Sequence, residues 1–174
     1  NLNGGLDAKV DVTSSLNLDI TINPDFSQVE VDAQQTNLTR FNLFYPEKRQ
    51  FFIENSDLFG QFGFSKIRPF FSRQIGLNQG RAVPINGGLR LCGKINENWG
   101  IGLMNIQTAK SQLLELSDSN MIDTLTLNPD NFTVAAAQRK VFKRSFIGAI
   151  IVNKHSFQTE NVPQNNYNRI VGLD

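Results

Sequence analysis

The sequence predicts an all-β protein made of antiparallel strands, and two observations support this fold class. Apolar and polar residues alternate along several segments of the chain, which is the period of a strand with one buried face. Short polar turns join these segments in pairs, as in β-hairpins. A parallel fold, in which strands alternate with helices, is not indicated anywhere in the sequence.

The first hairpin shows the alternation most clearly. It joins residues 5–12 to residues 16–23 through the turn Thr13-Ser14-Ser15. Its second strand places apolar residues on one side and polar residues on the other: Leu16, Leu18, Ile20 and Ile22 against Asn17, Asp19, Thr21 and Asn23. One face of this hairpin is therefore apolar and the other is polar.

The same alternation predicts two further hairpins and one more strand. Residues 88–95 pair with residues 99–106, and residues 131–142 pair with residues 145–156 around the turn Lys143-Arg144. Residues 168–174 begin a strand whose partner is missing. Three long segments connect these elements: 24–87, 107–131 and 157–167.

Two β architectures fit this alternation. A soluble sandwich buries its apolar faces, whereas a transmembrane barrel turns them towards lipid and keeps polar residues in its lumen. Tight turns that alternate with long connections favour the barrel, because outer-membrane barrels have short periplasmic turns and long external loops. In a barrel, Leu16, Leu18, Ile20 and Ile22 face outward, and Asp7, Lys9, Asp19 and Arg90 face inward. A sandwich requires the reverse arrangement.

The segment between the first two hairpins has a different composition. Residues 23–73 contain most of the 14 Phe of the chain, interleaved with Glu, Lys and Arg. A soluble core does not normally mix aromatic and charged residues so densely, because an unpaired charge is costly to bury. A hydrated cavity lined by aromatic rings accommodates the mixture. We therefore predict that residues 27–86 form a plug-like insert, in the lumen or in a loop of the barrel.

Several motifs in this region resemble a known family. They are NPDFSQVE at 23–30, NLTRF at 37–41, FYPEKRQFFIE at 44–54 and FFSRQIG at 70–76. They resemble an uncharacterised family of Gram-negative outer-membrane β-barrel proteins, whose barrel follows a domain similar to family 9 carbohydrate-binding modules. The chain departs from the usual pattern at Gln50, Asn55 and Gln74, where the family carries Pro, Gly and a second Arg.

This resemblance implies a location and a fold. Residues 1–174 would form the N-terminal part of one antiparallel transmembrane β-barrel domain in the outer membrane, without the carbohydrate-binding module. The implied function is non-enzymatic: the barrel would bind, display or pass a polar substrate, with a glycan as the favoured class, or act within a larger outer-membrane assembly. The implied partners are outer-membrane lipid, a glycan ligand and other outer-membrane subunits.

Aromatic and charged side chains of the insert are the candidate contacts with a substrate in the lumen. Aromatic faces stack on sugar rings, and Arg guanidinium groups bind carboxylates and hydroxyls. The candidates are Arg40, Phe44, Glu47, Lys48, Arg49, Phe51, Phe52, Glu54, Arg68 and Arg73.

The alternative is a carbohydrate-active hydrolase or a soluble carbohydrate-binding sandwich. Glu47 and Glu54 flank Phe51 and Phe52, and a pair of carboxylates is the usual catalytic apparatus for glycoside cleavage. We favour instead the interpretation that these acids form ion pairs, which fix the insert against the barrel wall. No catalytic residue is therefore assigned.

No cofactor, metal or nucleic acid is predicted. The net charge of +1 lacks the strong basic excess of a nucleic-acid-binding protein. Asp25, Glu30 and Asp32 do not have the spacing of an EF-hand, and His155, the single histidine, has no neighbouring ligands at metal-site spacing. Cys92, the single cysteine, is predicted to be a small apolar filler in a strand.

Overall fold

The fold is described from a computed structural model in which residues 4–24, 47–63, 68–78, 81–116, 122–143, 145–157 and 166–174 are placed. The strands are β1 (Leu6–Thr13), β2 (Leu16–Ile22), β3 (Leu77–Asn78), β4 (Arg81–Ala82), β5 (Ile85–Lys94), β6 (Trp99–Thr108), β7 (Ser111–Leu116), β8 (Ile122–Leu127), β9 (Asp130–Lys140), β10 (Phe146–Ser156) and β11 (Asn166–Leu173). Two short helices, α1 (Gln50–Ile53) and α2 (Asp57–Gly60), and a 3₁₀ turn (Ser72–Gln74) lie between β2 and β3.

Seven strands form one antiparallel sheet in the order β1-β2-β5-β6-β9-β10-β11. All three predicted hairpins are confirmed: β1 pairs with β2, β5 with β6, and β9 with β10. Within the described residues this sheet is open, with β1 and β11 at its two edges. The all-β prediction is therefore confirmed at the level of an antiparallel sheet.

Two details of the prediction were wrong. The last strand does have a partner, because β11 pairs with β10 from Ala149↔Leu173 to Ser156↔Asn166. The segment 107–131 is not a simple connection, because it contains the separate hairpin of β7 and β8. Apolar residues in that segment alternate over only a few positions, which made the short strands hard to distinguish from a loop.

One face of the sheet, here called the outer face, carries an apolar row that is exposed or half-buried. A single row of paired residues crosses all seven strands on this face: Val10, Leu18, Leu91, Leu103, Ala135, Ile151 and Val171. Ile151 is 53% exposed and Val171 is 70% exposed. Of the four apolar residues of β2 that a barrel would expose, Ile22 is exposed and the other three are half-buried.

The opposite face, here called the inner face, changes character across the sheet. Its central row reads Lys9, Asp19, Arg90, Met104, Val134, Val152 and Ile170. The first three strands thus contribute charges and the other four contribute apolar side chains. Of the four charged residues predicted to point inward, Asp19 and Arg90 are buried, while Asp7 and Lys9 on the edge strand are exposed.

The described part of the insert, residues 47–63, 68–78 and 81–84, lies against the inner face. Buried side chains of the insert and of the inner face form one core cluster: Phe52, Leu58, Phe59, Phe62, Ile75, Ile85, Cys92, Met104, Ile106, Val134, Ala136, Ile150 and Val152. Each large apolar side chain buried here stabilises the contact by about 1.5–3 kcal/mol. The last two residues of the predicted insert belong to β5, which begins at Ile85, and residues 27–46 lie outside the described residues.

Glycines in the sheet create the space that the insert occupies. A Cβ atom on Gly102 would lie 2.6 Å from the Phe59 ring, and one on Gly148 would lie 2.9 Å from the Phe62 ring. Gly100 faces Leu58 in the same way, at 3.1 Å. The inner face is therefore shaped to receive α2 and the residues that follow it, since any side chain at these positions would displace the rings.

Replacing Gly102 by Ala tests this fit. The added methyl group collides with Phe59, so we expect the free energy of unfolding to fall by about 1–3 kcal/mol. The measurement is chemical denaturation of the folded protein, monitored by circular dichroism. Gly4→Ala is the matched control, because a Cβ atom on Gly4 meets no heavy atom within 4 Å. Equal stability of the two variants would contradict the proposed fit.

Candidate functional site

Arg49 organises the insert around one buried guanidinium group. Its Nε and Nη2 donate to the two carboxylate oxygens of Glu47, each at 2.8 Å. Nη1 donates to the carbonyl of Ile75 at 2.6 Å, and Nη2 also donates to the carbonyl of Ser72 at 2.8 Å. The guanidinium carbon lies 4.2 Å from the centre of the Phe52 ring. Arg49 thus joins the start of α1 to the 3₁₀ turn, which lies more than twenty residues later in the chain.

Glu47 is fully engaged in this cluster. Besides Arg49, it accepts the Ser72 hydroxyl at 2.7 Å and the backbone N–H of Lys48 at 3.1 Å. Arg73 Nη1 lies 3.9 Å from the same carboxylate. Burial raises the pKa of Glu47, but the hydrogen bonds and charge of Arg49, together with the Ser72 hydroxyl, outweigh burial and hold the pKa below its usual value.

Arg90 connects the insert to the sheet. This β5 residue is 2% exposed, and its Nε and Nη2 donate to Asp19 Oδ2 on β2 at 3.1 and 2.6 Å. Its Nη1 donates to the carbonyl of Glu54 at 2.7 Å, where α1 ends. The Phe51 ring lies 5.0 Å from the guanidinium carbon. Arg90 therefore binds the Asp19 carboxylate of the sheet and the carbonyl at the end of α1 at the same time.

A second ion pair lies at the solvent edge of this contact. Lys9 Nζ on β1 donates to Glu54 Oε2 at 2.6 Å, and the Glu54 carboxylate is also 3.5 Å from Arg90 Nη2. The hydrogen bond from Lys9 is the largest influence on Glu54 and holds its pKa below the usual value. The exposed pair adds little stability by itself, because water screens it.

A cavity of about 270 Å³ opens between the insert and the inner face. Phe52, Phe59, Phe70 and Phe71 supply most of its apolar wall, and Met104 contributes from the sheet. The rings of Phe59 and Phe70 are 5.9 Å apart and tilted by 60°. Its polar lining comes from side chains at several positions: Glu47, Ser56, Arg68, Ser72 and Arg90.

The ten candidate contacts have different positions. Glu47, Arg49, Phe52 and Arg73 cluster in the insert, and Phe51 lies against Arg90. Lys48 and Arg68 are exposed, Glu54 points to Lys9, and Arg40 and Phe44 lie outside the described residues. Three of the ten line the cavity: Glu47, Phe52 and Arg68.

The sequence candidates omitted the sheet side of this site. Asp19, Arg90 and Lys9 carry the contact between the sheet and α1. The alternation of β1, β2 and β5 placed all three on one polar face, which was the available signal. The register between distant strands decides that Asp19 is opposite Arg90, and this register is not readable from either strand alone.

Glu47 and Glu54 do not form a catalytic pair of the usual kind. A glycosidase needs one carboxyl group with a raised pKa as the acid and one ionised carboxylate. Here cations hold both pKa values below the usual range, so both groups are ionised at neutral pH. Both form ion pairs, Glu47 within the insert and Glu54 with the sheet.

The described residues contain no group of three or more His, Cys, Asp and Glu side chains that could hold a metal ion. Cys92 is buried in the core cluster. His155 lies on the outer face, with its ring 4.8 Å from that of Phe157. In the placed part of the chain, no helix has the length and apolarity needed to cross a membrane.

Replacing Arg90 by Met tests the link between sheet and insert. The change leaves the buried Asp19 carboxylate without its cation, so we expect a loss of about 3–5 kcal/mol in the free energy of unfolding. Adding Asp19→Asn should recover part of that loss, because the uncompensated charge is removed. Lys9→Met is the control and should have little effect, since Lys9 is at the surface. The same small loss in Arg90→Met and Lys9→Met would refute the role of Arg90.

The lowered pKa of Glu47 predicts acid sensitivity. A carboxylate whose pKa is lower in the folded protein stabilises the fold above its ordinary pKa of 4.5, and this stability is lost as the pH falls through the lowered value. We therefore expect the free energy of unfolding to be nearly constant from about pH 7 to about pH 5 and to decrease below that. Glu47→Gln should be less stable at neutral pH and show a weaker decrease. An unchanged decrease would assign the acid sensitivity to other carboxylates.

One family model matches nearly the whole chain. It describes a domain of unknown function (DUF5916) and matches residues 1–168. Comparisons with curated proteins and with solved structures give no significant match. The matched range includes all seven strands of the main sheet in whole or in part, together with the insert. The chain therefore belongs to the DUF5916 family.

Proposed function

We propose that this chain is part of a β-barrel in the outer membrane of a Gram-negative bacterium, where it binds or passes a polar solute without catalysing a reaction. The single observation that carries this proposal is the apolar row on the outer face. This row takes one residue from each of the seven strands. Every one of them is Val, Leu, Ile or Ala, and none is fully buried. A lipid environment makes such a face favourable.

A soluble monomer does not account well for this face. The insert already provides the core on the inner side, so the outer side is a second apolar surface. Contiguous apolar patches larger than a few hundred Å² are rare on soluble monomers, and they normally indicate an interface with protein or membrane. Hydrocarbon chains would cover the face without any specific partner.

The boundary between apolar and polar residues on the outer face also supports a membrane. One further row reads Ala8, Ile20, Leu89, Asn105, Thr133, Asn153 and Arg169. It is apolar on β1, β2 and β5 but polar on the later strands, so the boundary runs obliquely across the sheet. Strands of membrane barrels tilt by about 35–45°, and a membrane surface would cut their rows obliquely in the same way.

The polar side of this boundary has its own hydrogen bonds. Asn105 Nδ2 donates to Asn131 Oδ1 at 3.0 Å and to Thr133 Oγ1 at 2.8 Å, and Asn131 Nδ2 donates to Gln107 Oε1 at 3.2 Å. These side chains lie on the half of the sheet that is nearer the long connections. In the proposed orientation they face the headgroup region, where polar groups remain hydrated.

The covered inner face supports a plug-like role for the insert. The described residues of the insert extend across the inner face: the carbonyl of Glu54 accepts a hydrogen bond from Arg90 on β5, and a Cβ atom on Gly172 of β11 would lie 3.6 Å from Pro69. In a closed barrel the inner face lines the lumen, so the insert would narrow it. The open edges β1 and β11 would pair with further strands, because unpaired backbone groups are not tolerated in lipid.

The class of solute and the assembly are further parts of the proposal. The resemblance implies a glycan, and the aromatic and charged insert is the surface that would contact it. The partners under this proposal are outer-membrane lipid and other outer-membrane subunits. The hydrolase alternative is less well supported, because Glu47 and Glu54 are both held ionised by cations.

Trp99 provides a direct test, because it is the only Trp of the chain. It is on the outer face near the tight turn and is 39% exposed. We expect lipids with brominated acyl chains to quench its fluorescence strongly after the protein is refolded into vesicles, since a ring at the membrane interface contacts them. Trp99→Phe corrects for background emission, and protein held unfolded in urea is the control. A folded, water-soluble protein with unquenched Trp99 would refute the proposal.

A further inference from the structure

Basic residues gather at the end of the main sheet where the tight turns lie. The segments 94–99 and 139–147, which contain the turn between β5 and β6 and the turn between β9 and β10, have five Lys or Arg residues and one acid, Glu97. The register brings these two segments side by side, because Trp99 on β6 pairs with Arg139 on β9. This end of the sheet therefore carries a local excess of positive charge.

The cations of the β9–β10 hairpin are not neutralised by the protein. Arg139, Lys140 and Lys143 are exposed. In the part of the chain that the structure describes, their charged groups form no hydrogen bond and no ion pair. The guanidinium carbon of Arg139 lies 5.4 Å from the centre of the Trp99 ring, and stacking on a ring uses the face of the guanidinium group, not its N–H donors. An anion that binds here has no existing partner to displace.

Large apolar side chains lie among these cations. Phe142, Phe146 and Ile147 are exposed, Phe142 most of all at 74%. A small soluble anion would neutralise the charges but would leave the apolar side chains in water. The partner that suits both has an anionic group and hydrocarbon in one molecule. We call this surface the turn patch and define it by seven residues: Trp99, Arg139, Lys140, Phe142, Lys143, Phe146 and Ile147.

The turn patch continues the apolar surface of the outer face. Along β9, Arg139 is four residues beyond Ala135 of the apolar row, and Ala137 lies between them on the same face. Four residues of a strand span about 13 Å. The turn patch is therefore at the margin of the surface that we propose to face hydrocarbon. Trp and basic residues are characteristic of this depth, because their apolar parts remain in the membrane while their polar ends reach the headgroups.

We propose that the turn patch binds an anionic phospholipid, with the phosphate at Arg139, Lys140 and Lys143 and the acyl chains against the exposed rings. The inference rests on the proposed function, since it requires the outer face to lie in lipid. It adds a selectivity for lipid charge at one defined position. A guanidinium group binds phosphate through two parallel N–H···O bonds, and each Lys adds a point charge. The tight turns of outer-membrane barrels are periplasmic, so the bound lipid belongs to the periplasmic leaflet.

The fluorescence of Trp99 measures which lipid occupies the turn patch, because Trp99 belongs to it and is the only Trp of the chain. The protein is refolded into phosphatidylcholine vesicles that contain a small fraction of one brominated lipid, either phosphatidylglycerol or phosphatidylcholine. We expect brominated phosphatidylglycerol to give the same quenching at an about fivefold lower mole fraction, which corresponds to the attraction of one cation for an anionic lipid. Salt at 1 M shortens the screening length to about 3 Å and should reduce this preference.

Two variants form a matched pair for the cations. Lys140→Gln/Lys143→Gln should lose most of the preference for phosphatidylglycerol and keep the same quenching by brominated phosphatidylcholine. Both Lys side chains are exposed, so this variant should fold as the parent does. Arg169→Gln also removes an exposed cation of the outer face, but Arg169 pairs with Asn153 on the polar row, six residues along β10 from the turn patch. This control should keep the full preference.

Two results would overturn the inference and leave the membrane proposal standing. They are equal quenching of Trp99 by the two brominated lipids at the same mole fraction, and a preference for phosphatidylglycerol that is as strong in Lys140→Gln/Lys143→Gln as in Arg169→Gln. Strong quenching by brominated phosphatidylcholine would still support the membrane proposal in both cases. A folded protein in which neither lipid quenches Trp99 would refute the membrane proposal, and the inference would fail with it.

Discussion

The burial of Arg90 is the constraint on which the arrangement of sheet and insert depends. A guanidinium group that is 2% exposed requires a counter-charge and hydrogen-bond acceptors, because an unpaired buried charge is very costly. Asp19 supplies the charge from the neighbouring strand, and the carbonyl at the end of α1 supplies the remaining acceptor. Without α1 in place, one side of Arg90 would face an open surface.

Arg90 also marks the border between the two halves of the inner face. On one side are the charges of β1 and β2, and on the other are Met104, Val134 and Val152. The insert matches both halves: α1 offers a carbonyl and Glu54 to the charges, and α2 offers Phe59 to the apolar half. This agreement between two separate surfaces explains how the described part of the insert is held in a defined position.

The sequence was sufficient for the strands but only partly sufficient for the site. Alternation and the short turns identified all three hairpins, and alternation placed Asp19 and Arg90 on the same side. It did not predict the pairing of β10 with β11 or the hairpin of β7 and β8. The abundance of Phe and charged residues indicated a separate insert, and its acids were expected to form ion pairs, as Glu47 does with Arg49. The bond from Arg49 to the carbonyl of Ile75, twenty-six residues away, depends instead on tertiary structure. Such contacts have no signature in local sequence.

The two halves of the inner face differ in how well water can replace their contacts with the insert. If α1 moved away, Lys9 and Glu54 would be rehydrated at little cost, although Arg90 and Asp19 would lose a partner that shields them. If α2 moved away, Phe59 and Phe62 would leave the hollows over Gly102 and Gly148, and apolar surface on both sides would face water. The contact of α2 is therefore insensitive to salt and pH, while that of α1 responds to both. Because the cavity is lined by residues from both helices, its shape depends on one contact of each kind.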